Sequence, residues 1–145
     1  MRSLAVCIAI VAAVAACGGT KAVTEVDKAA LAEHEAQWAR RTFHSYRFDY
    51  SESQLNTSYN ARITVLNDTL SSVIDTTTGS PPPVPRTWPT IDDLFGEADF
   101  FANNGRYSLS LGYDDTYGNL TLISAQPSNP GGGFLARVTN LQPLE

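Results

Sequence analysis

Residues 45–76 read SYRFDYSESQLNTSYNARITVLNDTLSSVIDT. Tyr46, Phe48 and Tyr50 alternate with Arg47 and Asp49, a period of two that marks a half-buried β-strand. Tyr59, Ala61, Ile63 and Val65 alternate with Asn60, Arg62 and Thr64 and predict a second strand. Asn67-Asp68 is a tight turn, because both residues tolerate positive φ. Leu70 to Thr76 pairs back as a third strand. This hairpin-rich stretch fixes the chain as sheet-bearing, and its alternation calls for one packed face and one wet face.

Downstream, residues 76–89 (TTTGSPPPVPRTWP) carry five prolines. They forbid a central strand or a helix interior there, so the stretch reads as an extended surface loop crossing one end of the sheet. It could also serve as a polyproline II ligand. Thr90-Ile91-Asp92-Asp93 is a capping-box variant that opens a helix. Ile91, Leu94, Phe95, Ala98 and Phe101 or Ala102 form its apolar stripe. Asn103-Asn104-Gly105 ends it, with a left-handed C-cap expected. Tyr107, Leu109, Leu111 and Tyr113 share one face of a fourth strand. A turn over 114–119, a fifth strand from Leu120 to Ala125, a Pro/Gly-rich loop over 126–133 and a sixth strand from Phe134 to Leu141 follow.

Upstream, Asp27 to Arg41 places Leu31, His34 and Trp38 on one narrow helical stripe, with acidic residues at its start and Arg40-Arg41 at its end to suit the helix dipole. The order is therefore α-β-β-β-α-β-β-β. The reading is an α+β fold: a single small domain with an antiparallel sheet of five to six strands and two helices on one face. The 145 residues suffice for one such domain, assigned to 27–145.

The first residues read MRSLAVCIAIVAAVAAC. Arg2 precedes an apolar run from Leu4 to Ala16 that makes about 20 Å of helix, short of the roughly 30 Å hydrocarbon core, so 1–16 reads as a signal peptide. Val14-Ala15-Ala16-Cys17 resembles a bacterial lipobox. That resemblance implies an acylated Cys17 (palmitate among its chains), a tether over 17–26, and a membrane association through the lipid alone. Gly18 stands where an inner-membrane retention Asp would sit. The expected location is the cell envelope, on the outer membrane facing the periplasm in a Gram-negative cell. Both cysteines, Cys7 and Cys17, fall in this leader, so no later thiol is available for a disulfide, a metal or a nucleophile. Loss of Arg2 leaves nine Lys and Arg against fifteen Asp and Glu. Such a balance argues against nucleic acid as a partner.

Four segments together resemble a family of small bacterial envelope lipoproteins of unknown function: the lipobox, Trp38 with Tyr46-Arg47-Phe48, Thr90-Ile91-Asp92-Asp93-Leu94-Phe95, and Tyr113-Asp114-Asp115-Thr116-Tyr117-Gly118. The resemblance implies an envelope lipoprotein with an α+β domain. The chain departs from that family's pattern in two places. Ser51 to Thr57 has no Cys-x-Cys pair, and Asn119-Leu120 stand where a proline usually follows Tyr-Gly.

No catalytic set, cofactor site or metal-ligand set emerges. His44 and Ser45 are neighbours in sequence and face opposite ways on an extended chain, and no G-x-S-x-G elbow is present. His34 and His44 lack metal-ligand spacing. Asp92-Asp93 suit a helix start. Asp114-Asp115 on the 114–119 turn offer clustered oxygens without the alternating ligands of a calcium loop. The speculative binding residues are Tyr113, Asp114, Asp115 and Tyr117, since tyrosines on a wet sheet face often bind. The expected function is a non-enzymatic protein-interaction module, inhibitor-like in character. It would meet another envelope protein through the exposed sheet face or the loops at 76–89 and 126–133. The alternative is a periplasmic small-molecule or calcium binder using Asp114 and Asp115.

Overall fold

A computed structural model of the protein describes residues 25–145; the expected signal segment 1–16 and Cys17 lie outside the described residues. Eight elements follow in the expected order: α1 (Glu25–Ala39), β1 (Tyr46–Gln54), β2 (Thr57–Leu66), β3 (Thr69–Asp75), α2 (Ile91–Asn103), β4 (Tyr107–Tyr113), β5 (Leu120–Pro127) and β6 (Phe134–Pro143). The strands form one six-stranded sheet in the order β3-β2-β1-β6-β5-β4. Every pairing is antiparallel. The two meanders meet where β1 pairs with β6, so the chain's last strand closes against its first.

The period-two alternation of β1 decides which face is packed. Tyr46, Phe48 and Tyr50 are buried, and across the ladder they face Val65, Ile63 and Ala61, all buried too. On the other side Tyr50 faces Val138 and Glu52 faces Ala136. Both helices cover this same face. The Trp38 ring of α1 meets Tyr46 edge-on at 5.2 Å, and the Ile91 N–H at the start of α2 donates to the Tyr46 hydroxyl at 3.4 Å.

Helix α2 forms for the reasons its sequence supplies. The Thr90 hydroxyl accepts from the Asp93 N–H, and the Asp93 carboxylate accepts from the Thr90 N–H, a reciprocal capping box. All six candidate stripe residues, Phe101 and Ala102 alike, are buried. Its C-terminus departs from the expectation. Asn104 is extended (φ −100°), not left-handed. Its side-chain oxygen instead accepts from the Arg106 N–H at 3.2 Å, which turns the chain locally into β4. Helix α1 ends at Ala39, two residues before the expected stop, and the Arg41 guanidinium turns back to donate to the Trp38 carbonyl at 3.2 Å.

The Asn67-Asp68 turn has both residues at positive φ, 49° and 60°, as the sequence requires. The 76–89 segment differs from a plain surface crossing. Its second half lies on the packed side of the sheet, with Trp88 buried and edge-on to Tyr50 and Tyr59 at 6.4 and 5.9 Å. Proline excludes regular structure but leaves the intervening aromatic free to fill core space, and a period-based reading has no term for that. The opposite sheet face is mostly polar, with Ile74, Leu122 and Leu135 among its side chains. Asp49 accepts from Arg62 at 2.8 Å and from Asn140 at 2.9 Å, and Arg47 donates to Gln142 at 2.7 Å.

Candidate functional site

The strand parity that buries Tyr46, Phe48 and Tyr50 also carries Glu52 inward, and only 8 % of it is exposed. A carboxylate there needs partners. The Tyr50 hydroxyl donates to its Oε2 at 2.7 Å, and Arg86 donates to both oxygens, at 2.7 Å from Nη2 and 3.4 Å from Nη1. The Arg86 guanidinium lies over the Tyr59 ring at 4.2 Å and the Trp88 ring at 4.7 Å. The proline-rich segment thus delivers a cation and an indole to the end of β1. Burial, and then the neighbouring Glu52 carboxylate, push the Tyr50 hydroxyl well above its ordinary value and keep it a donor.

Beside this pair lies a cavity of about 370 Å³, walled by Tyr50, Glu52, Arg86, Glu97, Phe101 and Phe134. Asp93, Glu97 and Phe101 recur every fourth residue along α2, so one helical row faces the end of β1. Glu97 is half-buried and makes no hydrogen bond or ion pair among the described residues. Burial holds its carboxyl above the ordinary glutamate range, the charge of Glu52 adds to that, and Arg86 offsets part of it.

Three loops meet at the rim. Leu55 follows Gln54 at the β1–β2 tip, in left-handed backbone (φ 53°) and 73 % exposed. It sits against Gly132 of the β5–β6 loop, where an added Cβ would fall 2.1 Å from its Cδ2. Val84, two residues before Arg86, is 62 % exposed. Phe100, beside Phe101, is exposed as well.

The residues singled out in the sequence lie elsewhere, beside the second half of α1 and the loop that follows it. Asp114 Oδ1 accepts from the Thr116 and Tyr117 N–H groups at 2.9 and 2.8 Å, an Asx turn. Its N–H donates to the Asn119 carbonyl at 2.9 Å. Asp115 is exposed, and its carbonyl accepts from the Gln37 side chain at 3.3 Å. Tyr113 is half-buried and stacks on His34 at 3.9 Å, and burial pushes its hydroxyl up to about 12. Tyr117 is edge-on to Phe43 at 5.1 Å. Asp114 and Tyr117 share a small cavity of about 230 Å³ with Asn119, whose buried Oδ1 has no hydrogen-bond partner among the described residues; Tyr113 and Asp115 lie outside that cavity. His44 and Ser45 form no nucleophile pair. The imidazole meets Asp68 at 2.6 Å, and the hydroxyl accepts from the Asn67 N–H at 3.2 Å. Among the described residues no three His, Cys, Asp or Glu side chains gather to hold a metal.

Sequence reasoning passed over Glu52, Arg86 and Glu97. Glu52 was within its reach, since it shares parity with three buried aromatics. Arg86 and Glu97 were not, because the path of the proline-rich segment brings the first to it and the packing of α2 brings the second.

The architecture defines a class: a single α+β domain with two helices and a proline-rich segment on one face of a six-stranded antiparallel sheet. Residues 30–129 match the family of unknown function DUF6174, and the chain belongs to that family. Glu52, Arg86 and Glu97 fall inside the matched span, whereas β6 lies beyond it. No curated protein matches the chain. No helix among the described residues is long and apolar enough to cross a membrane.

Proposed function

We propose that this is a lipid-anchored envelope protein whose domain works as a non-enzymatic binding module, meeting another envelope protein through the loop end around Leu55, Val84 and the Glu52–Arg86 pair. The observation that carries this reading is Leu55. A leucine in left-handed backbone is strained, its exposed side chain gains nothing from burial to offset that, and such strain concentrates at functional sites. The polar sheet face suits contact with water, and Asp49 and Arg62 on it pair with each other. The Cys17 anchor rests on the lipobox. It would leave the domain on a short tether at the membrane surface.

The test is photo-crosslinking in the native envelope from positions 55 and 84, with position 62 on the polar sheet face as control. Adducts from 55 and 84 only, lost when Cys17→Ser removes the anchor, are the expected result. Equal adducts from position 62, or none from an abundant folded protein, would overturn the reading. Leu55→Asn relieves the left-handed strain, so it should hold or raise the melting temperature while reducing the adducts.

A second reading has one observation behind it. The partnerless Asn119 Oδ1 beside Asp114 would suit a calcium ion or a small polar molecule. Calcium at millimolar concentration should then raise the melting temperature, and an unchanged melt removes the ion from consideration.

A further inference from the structure

The cavity beside Glu52 has more negative than positive charge in its walls. Glu52, Asp93 and Glu97 line it against the single cation Arg86. Two of the three acids are accounted for. Glu52 is held by Arg86 and Tyr50. Asp93 closes the helix cap, accepting from the Thr90 N–H and hydroxyl at 2.8 Å each. Glu97 is left over, half-buried and without an ion pair. The remaining lining combines three aromatics, Tyr50, Phe101 and Phe134, the last two with ring centroids 5.3 Å apart, with Gln54, Thr87 and Pro89.

We infer that this cavity takes an organic cation, a primary ammonium or guanidinium on a hydrocarbon stem, with the charge against Glu97 and the stem along Phe101 and Phe134. The volume, about 370 Å³, lies in the range of small-ligand pockets. It has room for a lysine- or arginine-sized group. Aromatic faces attract cations, and a carboxylate removed from water gains more from one than an exposed carboxylate does. A bare metal ion suits the site less well, because Glu52 Oε2 and Asp93 Oδ2 each already accept from two donors. The raised proton affinity of Glu97 fits the same picture, since an incoming cation would favour the ionised form that burial disfavours. The charges that act on Glu97 are Glu52 and Arg86, and Asp93 shares the cavity wall one turn back along α2. Of these, Arg86 opposes the ligand, but its guanidinium is committed to Glu52 and stacked on two rings.

The cation could be a basic side chain of a protein partner or a free amine. The first source rests on the reading that this loop end meets a protein; the second does not. Both can be tested on the full-length acylated chain in detergent micelles, by NMR of a ¹³C-labelled Glu97 carboxyl and the Phe134 ring. One arm titrates 1,5-diaminopentane, the other an acetylated and amidated Gly-Gly-Lys-Gly-Gly peptide, with its Lys→Gln counterpart as the neutral control. Saturable shifts with the amine and the Lys peptide but not the Gln peptide are expected. Glu97→Gln, which keeps the side-chain shape, should weaken both at least tenfold. Tighter binding of the Lys peptide than of the diamine assigns the site to a partner's side chain, and the reverse order assigns it to a free amine. No saturation in either arm, or equal affinity in Glu97→Gln, would overturn the inference. Crosslinking from Leu55 and Val84 that survives Glu97→Gln would leave the docking reading standing without the cation.

Discussion

The two corners of the packed face are built from the same parts and differ in which member of the ion pair is the more buried. At one corner Arg41 lies over the Trp38 ring at 4.0 Å and near Tyr46, paired with Asp68 and Asp92. At the other, Arg86 lies over Trp88 and Tyr59, paired with Glu52. The acids of the first corner sit at the surface, 44 and 55 % exposed, and Asp92 also accepts from the Trp38 indole at 3.2 Å. The acid of the second is buried, with an open cavity and a spare carboxyl next to it. An Arg–Trp–acid unit with its acids in water is a staple. The same unit with its acid buried and Glu97 left over holds charge and space that folding does not use.

That contrast can be broken by substitution, and the largest effect should come from the staple. Trp38 is 1 % exposed and meets Phe43, Tyr46 and Arg41. Trp38→Ala should cost about 3–5 kcal/mol in urea denaturation. Trp88→Ala should cost less, because its segment already borders a cavity. A larger loss from Trp88→Ala would mean that the second corner is the structural one.

Next in size is the difference between the two acids. Glu52→Ala strands a partly buried guanidinium and the Tyr50 hydroxyl, so a loss of about 3 kcal/mol at most is expected. Asp68→Ala takes a surface acid from the buried Arg41 side chain, which keeps Asp92 and the Trp38 carbonyl as partners, so it should cost less, about 1 kcal/mol. Equal losses in denaturant titrations would erase the distinction between the corners.

Glu97→Gln should act in the opposite direction and stabilise the ligand-free protein at neutral pH. Its carboxyl is held above the ordinary glutamate value by burial, so the folded state binds the proton more tightly than the unfolded one. That contribution is fully present below the ordinary glutamate value and is lost as pH rises through the raised one. The melting-temperature gain of Glu97→Gln should therefore shrink as pH falls through that window. A destabilised Glu97→Gln at pH 7 would show that the carboxylate is held in place by the fold.

The smallest effect belongs to the polar sheet face. Hydrogen bonds from Arg62, and also from Asn140, hold the Asp49 carboxyl below its usual range. Its stabilisation is present above the ordinary carboxylate value and is lost as pH falls through the lowered one. Because the pair is solvent-accessible, Arg62→Ala should barely move the urea midpoint.

Much of this was legible in the sequence, for local reasons. Alternation in β1, two turn residues that accept positive φ, and a capping box each state their own conformation, and the eight elements follow in order. The missing parts depend on distant partners. Asn104 ends α2 through a side-chain bond to Arg106, with no left-handed residue. Trp88 fills core space from inside a proline-rich run. The tyrosines named as a binding surface sit toward the helices, because His34 and Phe43 supply them with stacking partners that no strand pattern reveals. The Glu52–Arg86–Glu97 constellation joins β1, a loop and α2, and sequence spacing cannot bring those three together.

The most direct measurement is hydrogen exchange of the acylated full-length chain, in its native envelope and again purified in micelles. If the second corner is the binding end, exchange in the envelope slows at residues 53–57, 83–88 and 128–134 and is unchanged at 40–44, 66–69 and 115–118. Slowing confined to the Arg41 corner and the 114–118 turn, or no slowing anywhere, would contradict the account.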